Sequence, residues 1–371
     1  MTSNNLTVEM DTLREWLEQG RPVLVLDVRP AEERAEWAIP GSIHVDAYHA
    51  LKAGDPQALA SVELPDDVPV VTICGAGKTS LIAAELLQAR GVGARSLKGG
   101  MQAWSLAWNA AEVGVPGSAA RVIQVRRTGK GCLSYLVGAD GNAMVIDPSL
   151  HPDVYCELAQ RQGWLIAHVL ETHLHADHLS RARALAEQSG AALLLPAGHR
   201  VAAPFTPLTD GETIAIGAAR LTVLHTPGHT SESSCYLLDG AALFTGDTLF
   251  LAAVGRPDLH ASQAGAREKA QALYRSLQRL LQLDPGVLVL PSHTSEPIAF
   301  NGQPIAASLG EVRARLALLR EREATFVDTI LARIPPTPPN HEQIIALNEA
   351  GKLPEGDPTA LEAGANRCAV A

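Results

Sequence analysis

The sequence predicts an α/β chain of two domains. The first is a parallel sheet with helices on both faces; the second is an αβ/βα sandwich of packed sheets with helices outside. Length, composition and the rhythm of apolar runs lead there. A chain of 371 residues exceeds one comfortable hydrophobic core. Hydrophobic residues at 46% against 19% charged suit a packed protein rather than a disordered one. The rhythm of the runs changes across residues 109–120, which divides the chain.

Taken in order, Val23–Val28 is a β-branched run suited to a buried strand, and Ala31–Trp37 a short helical turn. Val68–Cys74 reads as a second buried strand, Ser80–Arg90 as an amphipathic helix, Arg95–Lys98 as a strand and Met101–Trp108 as a helix. Strands alternating with helices over 6–108 imply a parallel sheet. Asn109–Ala120 holds small residues and Pro116-Gly117, has no periodicity and reads as a linker. From Arg121, close-spaced runs at Val122–Arg126, Cys132–Val137 and Ala143–Asp147 open the second domain, 121–348, as an antiparallel meander. Apolar positions at helical spacing predict a helix over Ser308–Ile334, stopped by Pro335-Pro336 and Pro338-Pro339. That helix would either cover the domain's own core or support a homodimer. Residues 349–371 are small and polar and read as a poorly ordered tail.

Net charge is −10 with no Lys/Arg cluster, which argues against a nucleic-acid partner. Five cysteines are an odd number, widely spaced and without a Cys-x-x-Cys pair, which fits a reducing compartment better than a disulfide framework. No apolar run approaches membrane-spanning length and Met1–Gly20 lacks an apolar signal region. The expectation is a soluble cytoplasmic protein without a membrane partner.

Two places carry chemistry. The strand ending at Cys74 runs into Gly75-Ala76-Gly77-Lys78-Thr79-Ser80 and then a helix. Backbone N–H groups, the positive helix end and Lys78 would all favour a thiolate, so Cys74 reads as an activated nucleophile over an anion cradle that includes Gly75 and Gly77. A nucleotide-binding loop is excluded because its first glycine would fall on Thr72, and a phosphatase loop is disfavoured because its arginine would fall on Ser80. Leu26-Asp27-Val28-Arg29, Ile39-Pro40-Gly41-Ser42, the Cys74 loop and Leu97-Lys98-Gly99-Gly100-Met101-Gln102-Ala103-Trp104 together resemble a single rhodanese domain. The resemblance implies that Cys74 accepts a sulfane sulfur as a persulfide and passes it on.

The second place is Thr172-His173-Leu174-His175-Ala176-Asp177-His178, after the apolar run Leu165–Leu170. Downstream, His229, Asp247 and His293 each follow another strand-like run. Seven imidazole and carboxylate side chains at strand ends describe a metal site assembled from loops on one scaffold. Spacing lets His173 and His175 address one metal and Asp177 and His178 a second, with Asp247 between them. The absence of thiolates among the seven argues against a purely structural zinc. The other cysteines read as bland: Cys132, Cys156 and Cys235 as small core residues, Cys368 as part of the tail.

These motifs, with Pro227-Gly228-His229-Thr230, Thr245-Gly246-Asp247 and Ser292-His293, resemble the metallo-β-lactamase superfamily over about 121–300. Within it the chain is similar to the persulfide dioxygenases and to the glyoxalase II thioesterases. The first resemblance implies one Fe(II) on His173, His229 and Asp247, with His175, Asp177, His178 and His293 as further-metal or supporting positions. It also implies that Arg256, in Gly255-Arg256-Pro257-Asp258, binds the thiol carrier, alongside the alternative of a salt bridge to Asp258. The substrates would be a low-molecular-weight persulfide, such as glutathione persulfide, and O₂. The second resemblance implies a zinc or dinuclear centre that hydrolyses a thioester. A rhodanese part that only docks or senses is the third reading.

Overall fold

The computed structural model describes residues 6–371 apart from Asp66, His260 and Ala365. In the first domain β1 (Thr7–Val8), β2 (Leu24–Asp27), β3 (Ile43–His44), β4 (Val70–Ile73) and β5 (Ala94–Leu97) form a sheet in the order β1-β5-β4-β2-β3. Every pairing in it is parallel. Both faces are buried, as strand alternation requires. Leu26 and Val70 join Leu51, Ala83 and Leu87 on one face, while Val25 and Val71 join Leu13 and Trp104 on the other. Each such fully buried aliphatic side chain contributes roughly 1.5–3 kcal/mol.

The second domain packs two larger sheets. The first of them holds β6 (Asn109–Val113), β7 (Arg121–Arg126), β8 (Leu133–Ala139), β9 (Asn142–Ile146), β10 (Leu165–Leu170), β11 (Ala192–Pro196) and β12 (Thr206–Leu208), laid side by side in that sequence. The other contains β13 (Thr213–Ile216), β14 (Ala219–His225), β15 (Ser234–Leu238) and β16 (Ala242–Gly246). After the short β17 (Val254–Gly255), it is completed by β18 (Leu288–Pro291) and β19 (Ala307–Ser308). Tyr135, Val137, Met144 and Ile146 of one sheet meet Leu221, Val223, Tyr236 and Phe244 of the other in one core. Pairing directions make β14, β16 and β18 run the same way, so their C-terminal ends share one edge of the sandwich. That edge carries the histidine loops.

Three expectations are corrected. Asn109–Val113, read as linker, is strand β6, paired antiparallel with β7 from Asn109 to Val113. Its small residues hid it, because Ala110 and Ala111 give no strong alternation. The helix expected over Ser308–Ile334 is three pieces, Leu309–Arg315, a 3₁₀ turn at Ala317–Arg320 and Glu323–Ala332, broken where Leu316 is extended. Its apolar stripe packs inward: Val312, Leu316, Phe326 and Ile330 share a core with Leu273 and Leu277 of the helix Gln263–Leu280. The tail expected to be loose is built in. Ala369–Val370 forms β20 against β17, and Glu362 and Cys368 are fully buried.

The two domains meet along a seam of backbone. Trp37 donates from Nε1 to the Thr128 carbonyl at 3.1 Å. At Gly129 an added Cβ would lie 1.8 Å from the Trp104 carbonyl oxygen, and at Gly131 3.0 Å from the Trp37 ring. Among the described residues no helix is long and apolar enough to cross a membrane.

Candidate metal centre and cysteine site

The seven ligand candidates do come together, and they divide. His173 Nε2 and His229 Nε2 lie 3.7 and 3.6 Å from Asp247 Oδ2. Ligand atoms of these three residues all fall within 4.8 Å of one another. His173 Nε2 and Asp247 Oδ2 are buried without a hydrogen-bond partner. Unpaired buried polar atoms are costly and rare, so this convergence fits a cation.

Hydrogen bonds behind the triad set which nitrogen faces inward. Asp147, at the end of β9, accepts from the Thr172 N–H at 2.7 Å and from Thr172 Oγ1 at 2.9 Å. The Thr172 hydroxyl has therefore spent its proton and accepts from His173 Nδ1 at 2.9 Å, leaving Nε2 as a bare lone pair. His229 Nδ1 donates to the Arg256 carbonyl at 2.8 Å, with the same consequence. Burial lowers the pKa of both rings, with His175 lowering that of His173 further, so they are neutral imidazoles ready to bind metal. Burial raises Asp247, but the charge of His293 and its hydrogen bond outweigh it and hold the carboxylate ionised. Gly246 precedes it at φ 51°, where a Cβ would stand 2.6 Å from Thr172 Oγ1.

The other candidates form a second group, and it contains a residue that sequence reasoning put in the core. Cys132, Asp177, His178 and His293 offer ligand atoms within 4.8 Å of one another. Asp177 Oδ1 is 3.0 Å from His178 Nδ1, and its Oδ2 is 2.9 Å from His293 Nε2. His293 Nδ1 reaches Asp247 Oδ1 at 2.6 Å. Burial works against charge on His293, but Asp247 and Asp177 raise it well above the usual imidazole range. Asp177 likewise brings His178 to about 10 against burial, with Cys132 contributing. Burial and Asp177 push the Cys132 thiol up, and His178 and His293 more than offset them, leaving it at about 6. The expectation of a thiol-free centre is thus corrected: only a lone cysteine before a strand announced Cys132.

His175 belongs to neither group among the described residues. Its Nε2 turns to Asp147 Oδ1 at 3.4 Å, and its ring lies 4.3 Å from that of His173 and 4.2 Å from that of His178. Asn348 braces the loop from outside, donating to the carbonyls of His175 and His178 at 2.8 and 2.9 Å. Glu362 accepts from the Leu179 N–H at 2.6 Å and pairs with buried Arg127 at 3.1 Å and Arg181 at 3.4 Å. Neither Asn348 nor Glu362 sits in a motif.

Arg256 is committed elsewhere. It is fully buried, and its five donors all have acceptors: Asp258 twice at 2.8 Å, the carbonyls of Pro336 and Arg367 at 3.1 Å, and that of Pro335 at 3.0 Å. No donor is left for a substrate anion, which corrects the carrier-binding role in favour of the salt bridge.

In the first domain Cys74 is 2% exposed, and its Sγ accepts from Ser80 N–H and Ser80 Oγ, both at 3.3 Å. Ser80, not Lys78, touches the sulfur; Lys78 stands exposed at the first residue of the helix Lys78–Ala89. Gly77, at φ 81°, lets the loop close on the next turn, since a Cβ there would lie 2.8 Å from the Gly99 nitrogen. Gly75 opens on a cavity of about 250 Å³ shared with Glu33, Trp37, Gln102 and the tail residues Ala363 and Gly364.

Both domains match known families. Residues 127–293 match the metallo-beta-lactamase superfamily and residues 9–107 the rhodanese-like domain. The hydroxyacylglutathione hydrolase of Methylococcus capsulatus is 33% identical over 199 residues, 52% of this chain and 74% of that protein. That of Rhodospirillum rubrum is 35% identical over 204 residues, 54% and 73% of the two chains. Among solved structures, a metallo-beta-lactamase from Staphylococcus aureus superposes with a TM-score of 0.59 at 27% identity, over 65% of this chain and 76% of that one. ETHE1 from Myxococcus xanthus gives 0.54 at 28%, over 62% and 98%. With its histidine loops gathered at one edge of the sandwich and the Cys74 loop in the domain ahead of them, this chain belongs to the metallo-β-lactamase superfamily and bears an N-terminal rhodanese-like domain.

Proposed function

We propose that the protein oxidises a low-molecular-weight thiol persulfide with O₂, giving sulfite and the free thiol, and that Cys74 exchanges sulfane sulfur with the same thiol pool. The observation that carries this reading is the convergence of His173, His229 and Asp247, whose ligand atoms lie within 4.8 Å of one another, while His175 Nε2 lies 3.4 Å from Asp147 instead. Two neutral imidazoles and one carboxylate are the ligand set that holds non-haem iron with positions open to substrate and oxygen. Iron bound there would supply the site for O₂ reduction by the electrons the sulfane sulfur loses, while water provides the third sulfite oxygen. The chain's own part is to keep both Nε2 atoms unprotonated through Thr172 and the Arg256 carbonyl, and to hold Asp247 ionised. The glutathione in the names of the sequence relatives favours that carrier.

Those names also favour a second reading, hydrolysis of a hydroxyacyl-glutathione thioester, for which Asp177, His178 and His293 would hold a second metal. One experiment separates the two. Protein loaded with iron is given glutathione persulfide in an oxygen electrode, and S-lactoylglutathione without oxygen. The proposal expects uptake of oxygen in the first and no cleavage in the second; metal-dependent cleavage without oxygen uptake would replace it with the hydrolase.

A further inference from the structure

The geometry points to the C-terminal strap as part of the metal centre, with Cys368 a sulfur ligand delivered by it. Cys368 is fully buried, and its Sγ lies within 4.8 Å of ligand atoms of Asp247 and His293. Asp247 Oδ2 is itself a buried atom without a hydrogen-bond partner. A thiol placed against an unpaired carboxylate oxygen and beside an imidazole completes a mixed N/O/S set, which suits a thiophilic divalent transition-metal ion.

The strap is fixed in place from both sides. Asn366 donates to Asp177 Oδ2 at 2.9 Å and its Oδ1 accepts from the Cys368 N–H at 2.8 Å. The Cys368 carbonyl accepts from the Arg256 N–H at 3.0 Å, and β20 follows at once along β17. Arg256 thus has a use: its buried guanidinium holds the Arg367 carbonyl at 3.1 Å, next to the ligand, while its own carbonyl orients His229. The other end of the strap reaches the first domain. Arg367 pairs with Glu36 at 2.9 Å, and Gly364 lines the cavity beside Gly75. Cys368 lies four positions after Gly364, so at most about 14 Å of chain joins the wall of the Cys74 cavity to the metal centre. A metal held by Cys368 would therefore fix that wall as well.

The inference rests on the metal-centre reading but on neither of its two reactions. The test is near-ultraviolet absorption of the reduced, full-length protein loaded with Co(II), with cobalt counted in the same samples. Thiolate-to-cobalt charge transfer is expected in the unaltered protein, retained in Cys132→Ser and lost in Cys368→Ser at unchanged cobalt content of the triad. Bound cobalt without the band, a band that survives Cys368→Ser, or one that disappears in Cys132→Ser would overturn the assignment while leaving the metal centre standing. No cobalt uptake would overturn both. Should Cys368→Ser not fold, the Cys132→Ser protein decides alone, because Cys368 is then the one thiol of the described residues left beside the cluster.

Discussion

Asp147→Asn isolates the positioning of His173 from the ligand itself. The backbone tolerates the change, since Asp147 sits at φ 53°, a left-handed conformation that Asn also adopts. Asp147 Oδ1 faces the Thr172 N–H and must remain an oxygen, so the new amide nitrogen takes the place of Oδ2. There it meets Thr172 Oγ1 at 2.9 Å and Ser292 Oγ at 2.6 Å, both of which now have to accept. The Thr172 proton then turns to His173 Nδ1, and the ring's own proton moves to Nε2, onto the atom that faces the metal. Disturbing the group behind a metal-binding histidine costs typically 10–100-fold in affinity, and that range is expected here. Stability should fall too. Burial raises the Asp147 pKa, yet hydrogen bonding and charge from His175 and bonding from Ser292 bring it to about 2 from 3.8. A shift of that size corresponds to roughly 2–3 kcal/mol. Because the folded value is the lower one, this contribution is complete above the unfolded carboxylate range and disappears as pH falls from about 5 towards 2. Metal titration and urea unfolding at pH 7 and pH 3 read both effects. Metal affinity within twofold of the unaltered protein would refute the tautomer argument, and an equal stability gap at the two pH values would refute the linkage.

Glu362→Gln leaves Arg127 buried with its counterion gone and should cost about 3–5 kcal/mol in unfolding free energy; an unmoved denaturation midpoint would count against the buried triad. Arg256→Lys replaces five donors by three and should destabilise by roughly 2 kcal/mol or more while leaving the KM for persulfide unchanged. Unchanged stability with a raised KM would restore Arg256 as a carrier clamp. Ser80→Ala removes the hydroxyl donor to Cys74 and should slow sulfur transfer to cyanide about tenfold, the worth of one hydrogen bond, without altering metal content. A transfer rate equal to that of the unaltered protein would show that the N–H alone activates the thiol.

The loops that bring His173, His229 and Asp247 together were legible because each motif follows an apolar run that ends as a strand, while the choice of those three came from the resemblance. The Cys74 loop was legible for the same reason, although the helix expected from Ser80 starts at Lys78. What stayed hidden depends on contacts between distant segments. Cys132 precedes a strand like any small residue, Asn348 ends an ordinary helix, and Glu362 and Cys368 lie in a stretch whose composition signals solvent. Periodicity announced the burial of Val312, Leu316, Phe326 and Ile330 correctly. It did not show that packing on the helix Gln263–Leu280 would break the segment at Leu316. At Arg256 a motif suggested recognition, whereas the fold consumes every donor.

The glycine contacts at 129 and 131 bear on how the two sites cooperate. At Gly129 the backbone meets the Trp104 carbonyl of the first domain with no side chain between, and at Gly131 it meets the Trp37 ring, so a slide of one half past the other runs into collision. Under the proposed function the Cys74 thiol and the metal centre would then stay at a constant distance, and sulfur passing between them would be carried by a diffusing molecule or by local chain movement.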